Sequence, residues 1–322
     1  MSCVHPFKAF RTGYLTENGK EDFIMCHWPC PDFISTDKVR KPIDYSKAHY
    51  FFRDGGIYLC DPIEVPCGSC NACRMQKAKE WKIRNCLELQ EHKEAWFVTL
   101  TFDDAHIGDN SLDKKELQDF LKRLRYYFGD KFRYFASGEY GETTLRKHYH
   151  LLLYCHLGEL SLIGVNRYTC DCIGKAWPFG QHLVEPVTPG SIAYVCGYVE
   201  KKLDNHWPIF AGKPFVTMSR RPGIGMVWLD RHKSDLERSF KVYGIFGDDV
   251  KNNSAAVPQA FKRKLDGLPW FEELKEASRL AGDDIVATQR AIYGMYSREN
   301  ISFAQEAGLD YKNKLHEKEK IL

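Results

Sequence analysis

The stretch Arg146-Lys147-His148-Tyr149-His150-Leu151-Leu152-Leu153-Tyr154 decides how the rest of the chain is read. Its aromatic and apolar run reads as a buried strand, and a strand turns residues i and i+2 to the same side. His148 and His150 therefore present two imidazoles on one face, an arrangement that can hold a divalent metal. Further along, Tyr194-Val195-Cys196-Gly197-Tyr198-Val199-Glu200-Lys201-Lys202 reads as a helix. Positions i and i+4 share a helix face, so Tyr194 and Tyr198 stand as neighbouring phenols.

Working outward, Phe132–Tyr140 reads as the antiparallel partner of the histidine strand, with a loop near Gly141–Arg146 between them. Glu139, at the end of that partner, can complete a set of two imidazoles and one carboxylate, while Glu142 is the competing carboxylate deeper in the loop. The near-continuous apolar run Trp96–Phe102 reads as a central strand covered on at least one face. Asp113 and Glu116 are spaced to cap a helix over 113–128, with Leu117, Phe120, Leu121, Leu124 and Phe128 as its buried stripe. A strand over 182–187 precedes a helix opened by Thr188 and Pro189. The stripe Ile192, Val195, Val199 and Leu203 leaves Tyr194, Tyr198 and Lys201 on another face of that helix. This order predicts an α+β fold: an open, mostly antiparallel sheet with helices packed on one face and the catalytic groups on the other. The expected division is an N-terminal Cys-rich extension over 1–91, a core over 92–240 and a mostly helical region over 241–322.

Twelve cysteines without a recognisable signal peptide argue against a disulfide framework and point to the cytoplasm as compartment. No run of eighteen apolar residues suggests a membrane span. Cys67, Cys70 and Cys73 form C-x-x-C-x-x-C, and three thiols so spaced can converge on one structural Zn²⁺. A fourth ligand would come from Cys3, His5, Cys26, His27, Cys30 or Cys60; the alternative is a set of reduced, packed cysteines. A net charge of +3 says little by itself, so local clusters carry the signal. Arg74, Lys77 and Arg84 lie on a basic helix over 71–91, and Arg220 and Arg221 lie in a Pro- and Gly-containing turn. Both clusters suit a nucleic-acid backbone, and both also suit ordinary solvated faces.

Taken in order, Trp96–Phe102, His148-Tyr149-His150 and the Tyr194/Tyr198 helix resemble the three motifs of the HUH endonuclease superfamily, the rolling-circle replication initiators. The chain resembles most closely the initiators of the gokushovirus branch of the microviruses, small phages with single-stranded DNA. Pro66-Cys67-Gly68-Ser69-Cys70-Asn71-Ala72-Cys73-Arg74, Gly138-Glu139-Tyr140-Gly141 and Ser219-Arg220-Arg221-Pro222-Gly223-Ile224-Gly225 are similar to further segments of that branch.

The resemblance implies an enzyme that nicks and religates single-stranded phage origin DNA through a 5′-phosphotyrosine. Tyr194 and Tyr198 would alternate as nucleophiles, Lys201 would supply electrostatic help, and Mg²⁺ or Mn²⁺ would sit on His148, His150 and Glu139. Lys202 would touch the DNA backbone. Host DNA polymerase would extend the free 3′ end in the cytoplasm of the bacterial host cell. The chain lacks a Gly-rich loop ending in Gly-Lys-Ser/Thr, so strand unwinding falls to a host helicase. One departure bears on roles: Tyr198 has Lys201 three residues on, whereas Tyr194 has Gly197, which tilts first cleavage narrowly toward Tyr198. Two other readings stand beside this one. One is a metal-dependent phosphodiesterase that activates water; the other is a zinc-stabilised nucleic-acid-binding protein without catalysis.

Overall fold

The structure is a computed structural model that describes residues 3, 5–27, 29–129, 131–141, 143–201, 212–239, 241–246, 254–278 and 280, without the side chains of 198–201. The described residues fall into two compact units that divide between Arg74 and Met75.

The first unit is β-rich. Strands β1 (Phe7–Leu15), β2 (Glu21–Cys26) and β6 (Ile63–Val65) form one sheet in the order β2-β1-β6. Strands β3 (Ile34–Ser35), β4 (Tyr50–Arg53) and β5 (Gly56–Leu59) form a second in the order β3-β5-β4. Phe10, Cys30, Ala48 and Leu59 make its small core. Cys26 and Cys30 are joined by a disulfide, so the expectation of reduced cysteines outside the triplet is corrected at this pair. A spacing of four residues brings their Cα atoms to 5.8 Å, within disulfide reach, and removes both from the candidate zinc ligands.

Helix α1 (Asn71–Gln90) follows, then β7 (Trp96–Thr101), α2 (Lys114–Phe128), β8 (Arg133–Tyr140) and β9 (Lys147–Tyr154). Next come β10 (Ser161–Gly164), β11 (Arg167–Thr169), α3 (Asp171–Ala176), β12 (His182–Pro186), α4 (Pro189–Lys201) and β13 (Phe215–Met218). Seven of these strands form one sheet in the order β10-β11-β12-β7-β9-β8-β13, every neighbouring pair antiparallel. The α+β class and antiparallel sheet are those expected, with β7 and β9 at the centre.

The helices, expected on one face, cover both. Residues 151–154 of β9 are all fully buried, which requires apolar cover on each side of the strand. On one face Val98, Leu100, Tyr149, Leu151 and Leu153 pack with Leu117, Phe120, Leu121 and Leu124 of α2 and Ile173 and Ala176 of α3. On the other, Phe135, Leu152 and Tyr154 pack with Cys86 of α1 and Ile192, Val195 and Cys196 of α4. Asp113 caps α2 through the Lys115 N–H as expected, but Glu116 turns instead to β9. A cap contributes about 1 kcal/mol. Each buried Leu or Phe contributes about 1.5–3 kcal/mol, so packing rather than capping places α2.

The far side of α1 carries Ile83 and Leu87 into a third cluster. Its partners come from α5 (Met226–Arg231), α6 (Lys233–Ser239), the ribbon of β14 (Lys241–Tyr243) and β15 (Ser254–Ala256), and α7 (Gln259–Leu265). They include Trp228, Leu229, Leu236, Val242, Phe261 and Leu265. With sheet contacts on one side and this cluster on the other, α1 belongs mainly with the sheet rather than with the Cys-rich segment before it. Among the described residues no helix is long and apolar enough to cross a membrane.

Candidate active site

Strand register explains why three distant residues meet. Glu139 of β8 lies opposite His148 of β9, and His150 is two residues further along β9 on the same face. Oε1 of Glu139 lies 3.0 Å from Nε2 of His148 and 2.9 Å from Nε2 of His150. That spacing serves a hydrogen bond. It also matches neighbouring ligands around an octahedral cation with bonds of about 2.1 Å, which sit about 3 Å apart. The ligand atoms of Glu139, His148 and His150 form one of two candidate metal clusters among the described residues.

The outer partners of both imidazoles turn their inner nitrogens toward the cluster. His148 Nδ1 lies 3.1 Å from the Arg146 carbonyl, an acceptor that fixes the proton on Nδ1 and leaves the Nε2 lone pair facing Glu139. Thr99 Oγ1 lies 3.0 Å from His150 Nδ1, and Phe97 stacks on the His150 ring at 5.2 Å. Burial holds His150 below its usual value of 6.5, despite the opposing pull of Glu139, and so favours the neutral ring that a metal requires.

On the reverse face, Lys147 and Tyr149 alternate with these histidines and are both held by Glu116. Lys147 Nζ donates to Glu116 Oε1 at 2.8 Å, and the Tyr149 hydroxyl donates to Glu116 Oε2. Gly138 is required behind Glu139, because a Cβ there would meet the Phe215 ring at 2.8 Å and the Tyr149 ring at 3.0 Å.

Helix α4 lies over the same face as the imidazoles, with Ile192, Val195 and Cys196 buried and Tyr194 at 46 % exposure. The Tyr194 hydroxyl donates to Glu139 Oε1 at 3.4 Å, and its ring meets His150 edge-on at 5.2 Å. The structure thus brings together Glu139, His148, His150 and Tyr194. Tyr198 and Lys201 fall on α4, but their side chains lie outside the described residues, as do Lys202, Leu203 and the alternative carboxylate Glu142.

The second metal cluster is Cys3, Cys67, Cys70 and Cys73. Cys3 Sγ lies 3.8 Å from Cys70 Sγ, and Cys67 Sγ lies 4.0 Å from Cys73 Sγ. A tetrahedral Zn²⁺ with Zn–S bonds of about 2.3 Å spaces its sulfurs by about 3.8 Å, so the four thiols fit. Burial opposes the Cys67 thiolate, but the N–H groups of Cys70 and Ser69, the Ser69 hydroxyl and Cys3 bring its pKa down to about 6.

The basic residues separate. Arg220 and Arg221 are exposed at the turn after β13, and Lys77 is exposed on α1. Arg74 is half-buried and donates to Asn71 Oδ1. The expected DNA contact at Arg84 is corrected: this residue is 8 % exposed, donates to the Ile224 carbonyl at 2.9 Å and lies over the Trp81 ring. Sequence periodicity did not reveal this, because the apolar stripe of α1 is shared between two packing surfaces. Thr99 and Phe97 were also missed as site residues. Strand alternation would have found them once β7 was paired with β9, since Thr99 lies opposite His150.

An antiparallel sheet that carries two imidazoles and a carboxylate beneath a tyrosine-bearing helix is HUH-endonuclease-like. The family model for replication-associated proteins of the ORF2 type matches residues 95–203, from the start of β7 through α4. The replication-associated protein ORF2 of Spiroplasma virus 4 is 30% identical over 227 residues, covering 65% of this chain and 69% of its own length. The replication-associated protein ORF4 of Chlamydia phage 1 is 33% identical over 153 residues, 43% of this chain and 38% of that protein. The replication-associated protein VP4 of Bdellovibrio phage phiMH2K is 29% identical over 200 residues, 55% of this chain and 61% of that protein. No solved structure matches. The chain belongs to the replication-associated protein family and is a Rep-like protein related to phage replication proteins of the HUH superfamily.

Proposed function

We propose that this protein initiates rolling-circle replication of a microvirus-type phage, nicking and rejoining single-stranded origin DNA through a phosphotyrosine. The observation that carries the reading is the placement of the Tyr194 hydroxyl 3.4 Å from Glu139, within a cluster that also holds His148 and His150. Glu139, His148 and His150 would hold Mg²⁺ or Mn²⁺, which when bound withdraws charge from the non-bridging phosphate oxygens.

Tyr194, oriented by Glu139 and the edge of His150, faces the position of that phosphate. Its oxygen attacks phosphorus, an O–P bond forms to the 5′ phosphate, and the bond to the 3′ oxygen breaks. The phenolic proton is lost to solvent and the departing oxygen gains one, leaving a free 3′ hydroxyl. The phosphotyrosine keeps the bond energy of the diester, so attack by a 3′ hydroxyl rejoins the strand without ATP. Tyr198, one turn along α4, is the second nucleophile in this scheme, and Lys201 screens the phosphate charge. The nearness of Tyr194 to the cluster favours it for first cleavage over the narrow sequence-based preference for Tyr198.

The substrate is unpaired at the cut, because a duplex keeps its phosphate path and bases away from a site on a sheet face. Arg220, Arg221, Lys77, Arg74 and Lys202 are proposed backbone contacts. Cys3, Cys67, Cys70 and Cys73 are proposed to hold a structural Zn²⁺. Host helicase and polymerase are the partners that this role requires, and the cytoplasm of the bacterial host is its setting.

The test is incubation of the full chain with labelled single-stranded origin DNA and Mn²⁺. A protein–DNA adduct that survives denaturation, and is absent with chelator or in the His148→Ala/His150→Ala variant, is expected. Cleavage without an adduct would favour water as nucleophile. Binding without cleavage would favour a non-catalytic role.

A further inference from the structure

Ser137 lies on β8 two residues before Glu139, and opposite His150 in the ladder with β9. It therefore shares the face that carries the imidazoles. Its side chain is fully buried, at 0 % exposure, and among the described residues its Oγ has no hydrogen-bond partner. The row across β7, β9 and β8 reads Thr99, His150, Ser137, a hydroxyl on either side of one imidazole. Thr99 is engaged with His150 Nδ1 at 3.0 Å, whereas the Ser137 hydroxyl meets no partner among the described residues.

A buried hydroxyl without a partner is less favourable than the methyl of alanine at the same place. Close packing alone therefore does not explain a serine here, since alanine is as small. A partner that arrives with a ligand does. Mg²⁺ and Mn²⁺ sites built from few protein ligands keep waters that need hydrogen-bond partners of their own.

We propose that Ser137 is a positioning residue of the cation site, its hydroxyl holding a water of the hydrated cation that Glu139, His148 and His150 bind. The inference rests on the reading of that triad as a divalent-cation site.

The test compares the wild-type chain, Ser137→Ala and His150→Ala by Mn²⁺ titration, reading free Mn²⁺ by electron paramagnetic resonance, and by thermal melting with and without Mn²⁺. Ser137→Ala is expected to melt at or above the wild-type temperature without metal. Its Mn²⁺ affinity is expected to fall about 10-fold, with a smaller metal-induced rise in Tm. Unchanged Mn²⁺ affinity in Ser137→Ala would overturn the proposal. So would a metal-free Tm well below wild type, because the hydroxyl would then already have a partner. If the wild type and His150→Ala bind Mn²⁺ equally, the triad reading itself falls and this inference falls with it.

Discussion

The hydroxyl of Tyr194 donates to Oε1 of Glu139 at 3.4 Å, the same oxygen that faces Nε2 of both His148 and His150. Helix α4 and strands β8 and β9 thus meet at one atom. A long hydrogen bond from a half-exposed phenol contributes about 0.5–1 kcal/mol at most. Tyr194→Phe should therefore keep its fold and its Mn²⁺ affinity while first-strand nicking falls at least about 100-fold. Melting, Mn²⁺ titration and single-turnover cleavage of the same preparation check this, and undiminished cleavage would move the chemistry off Tyr194.

Thr99→Val removes the hydroxyl that fixes His150 through Nδ1 while keeping the β-branched shape that suits a strand. The expected result is a loss in Mn²⁺ affinity of about 10-fold or more, with little change in metal-free stability. Wild-type affinity in this variant would show that stacking on Phe97 is enough to orient the ring.

Glu88 is a buried anion on α1 that gathers the turn before α5. It accepts from the Gly225 N–H at 2.6 Å and pairs with Arg133, whose guanidinium also donates to the Pro222 and Gly223 carbonyls at 2.9 and 3.0 Å. Burial works against this carboxylate, but hydrogen bonds from His92, Arg133 and Gly225 hold its pKa below the usual 4.5. A carboxyl with a depressed folded-state pKa contributes stability above about pH 4.5, and that contribution is lost as pH falls through the lower folded value. Glu88→Gln should cost about 2–4 kcal/mol near neutral pH, and the gap from wild type should narrow on acidification. Urea melts at pH 7 and at successively lower pH test both the size and the sign.

Much of this arrangement was legible because β8 and β9 obey simple alternation. Once Phe132–Tyr140 and the histidine strand are read as a hairpin, Glu139 and His148 come opposite one another. Cys3 was one of six candidate fourth ligands in the sequence, and folding brings it to Cys70. Helix cover on both faces was less visible, since 151–154 is a continuous buried run whose two sides look alike. Arg84 misled because charge says nothing of direction, and α1 is packed on two sides. The β10–β11 hairpin escaped notice because its short strands leave Leu162, Ile163 and Val165 exposed, without a buried face to show alternation.

The two classes of arginine should behave differently toward single-stranded DNA. Removing Arg220 and Arg221 together should weaken binding and lower the slope of log K against log salt by about 1.4, at about 0.7 for each phosphate contact on a single strand. Arg84→Ala should leave that slope unchanged and instead lower the melting temperature, because its guanidinium holds the Ile224 carbonyl and covers Trp81. Fluorescence anisotropy at several salt concentrations distinguishes the two outcomes.

For the Cys3, Cys67, Cys70 and Cys73 cluster, elemental analysis should find one zinc per chain in the wild type and none in Cys73→Ser. Proteolysis of the first unit should accelerate in the variant and after strong chelation. Full resistance to both would leave four packed thiols without metal.

The central claim is a covalent bond between DNA and a tyrosine of α4, and mass-spectrometric mapping of the attachment site after Mn²⁺-dependent cleavage tests it most directly. The account predicts a nucleotide 5′ phosphate on the peptide containing Tyr194, shifting to Tyr198 or disappearing in Tyr194→Phe. Efficient cleavage with no modified tyrosine, or with attachment outside α4, would contradict it.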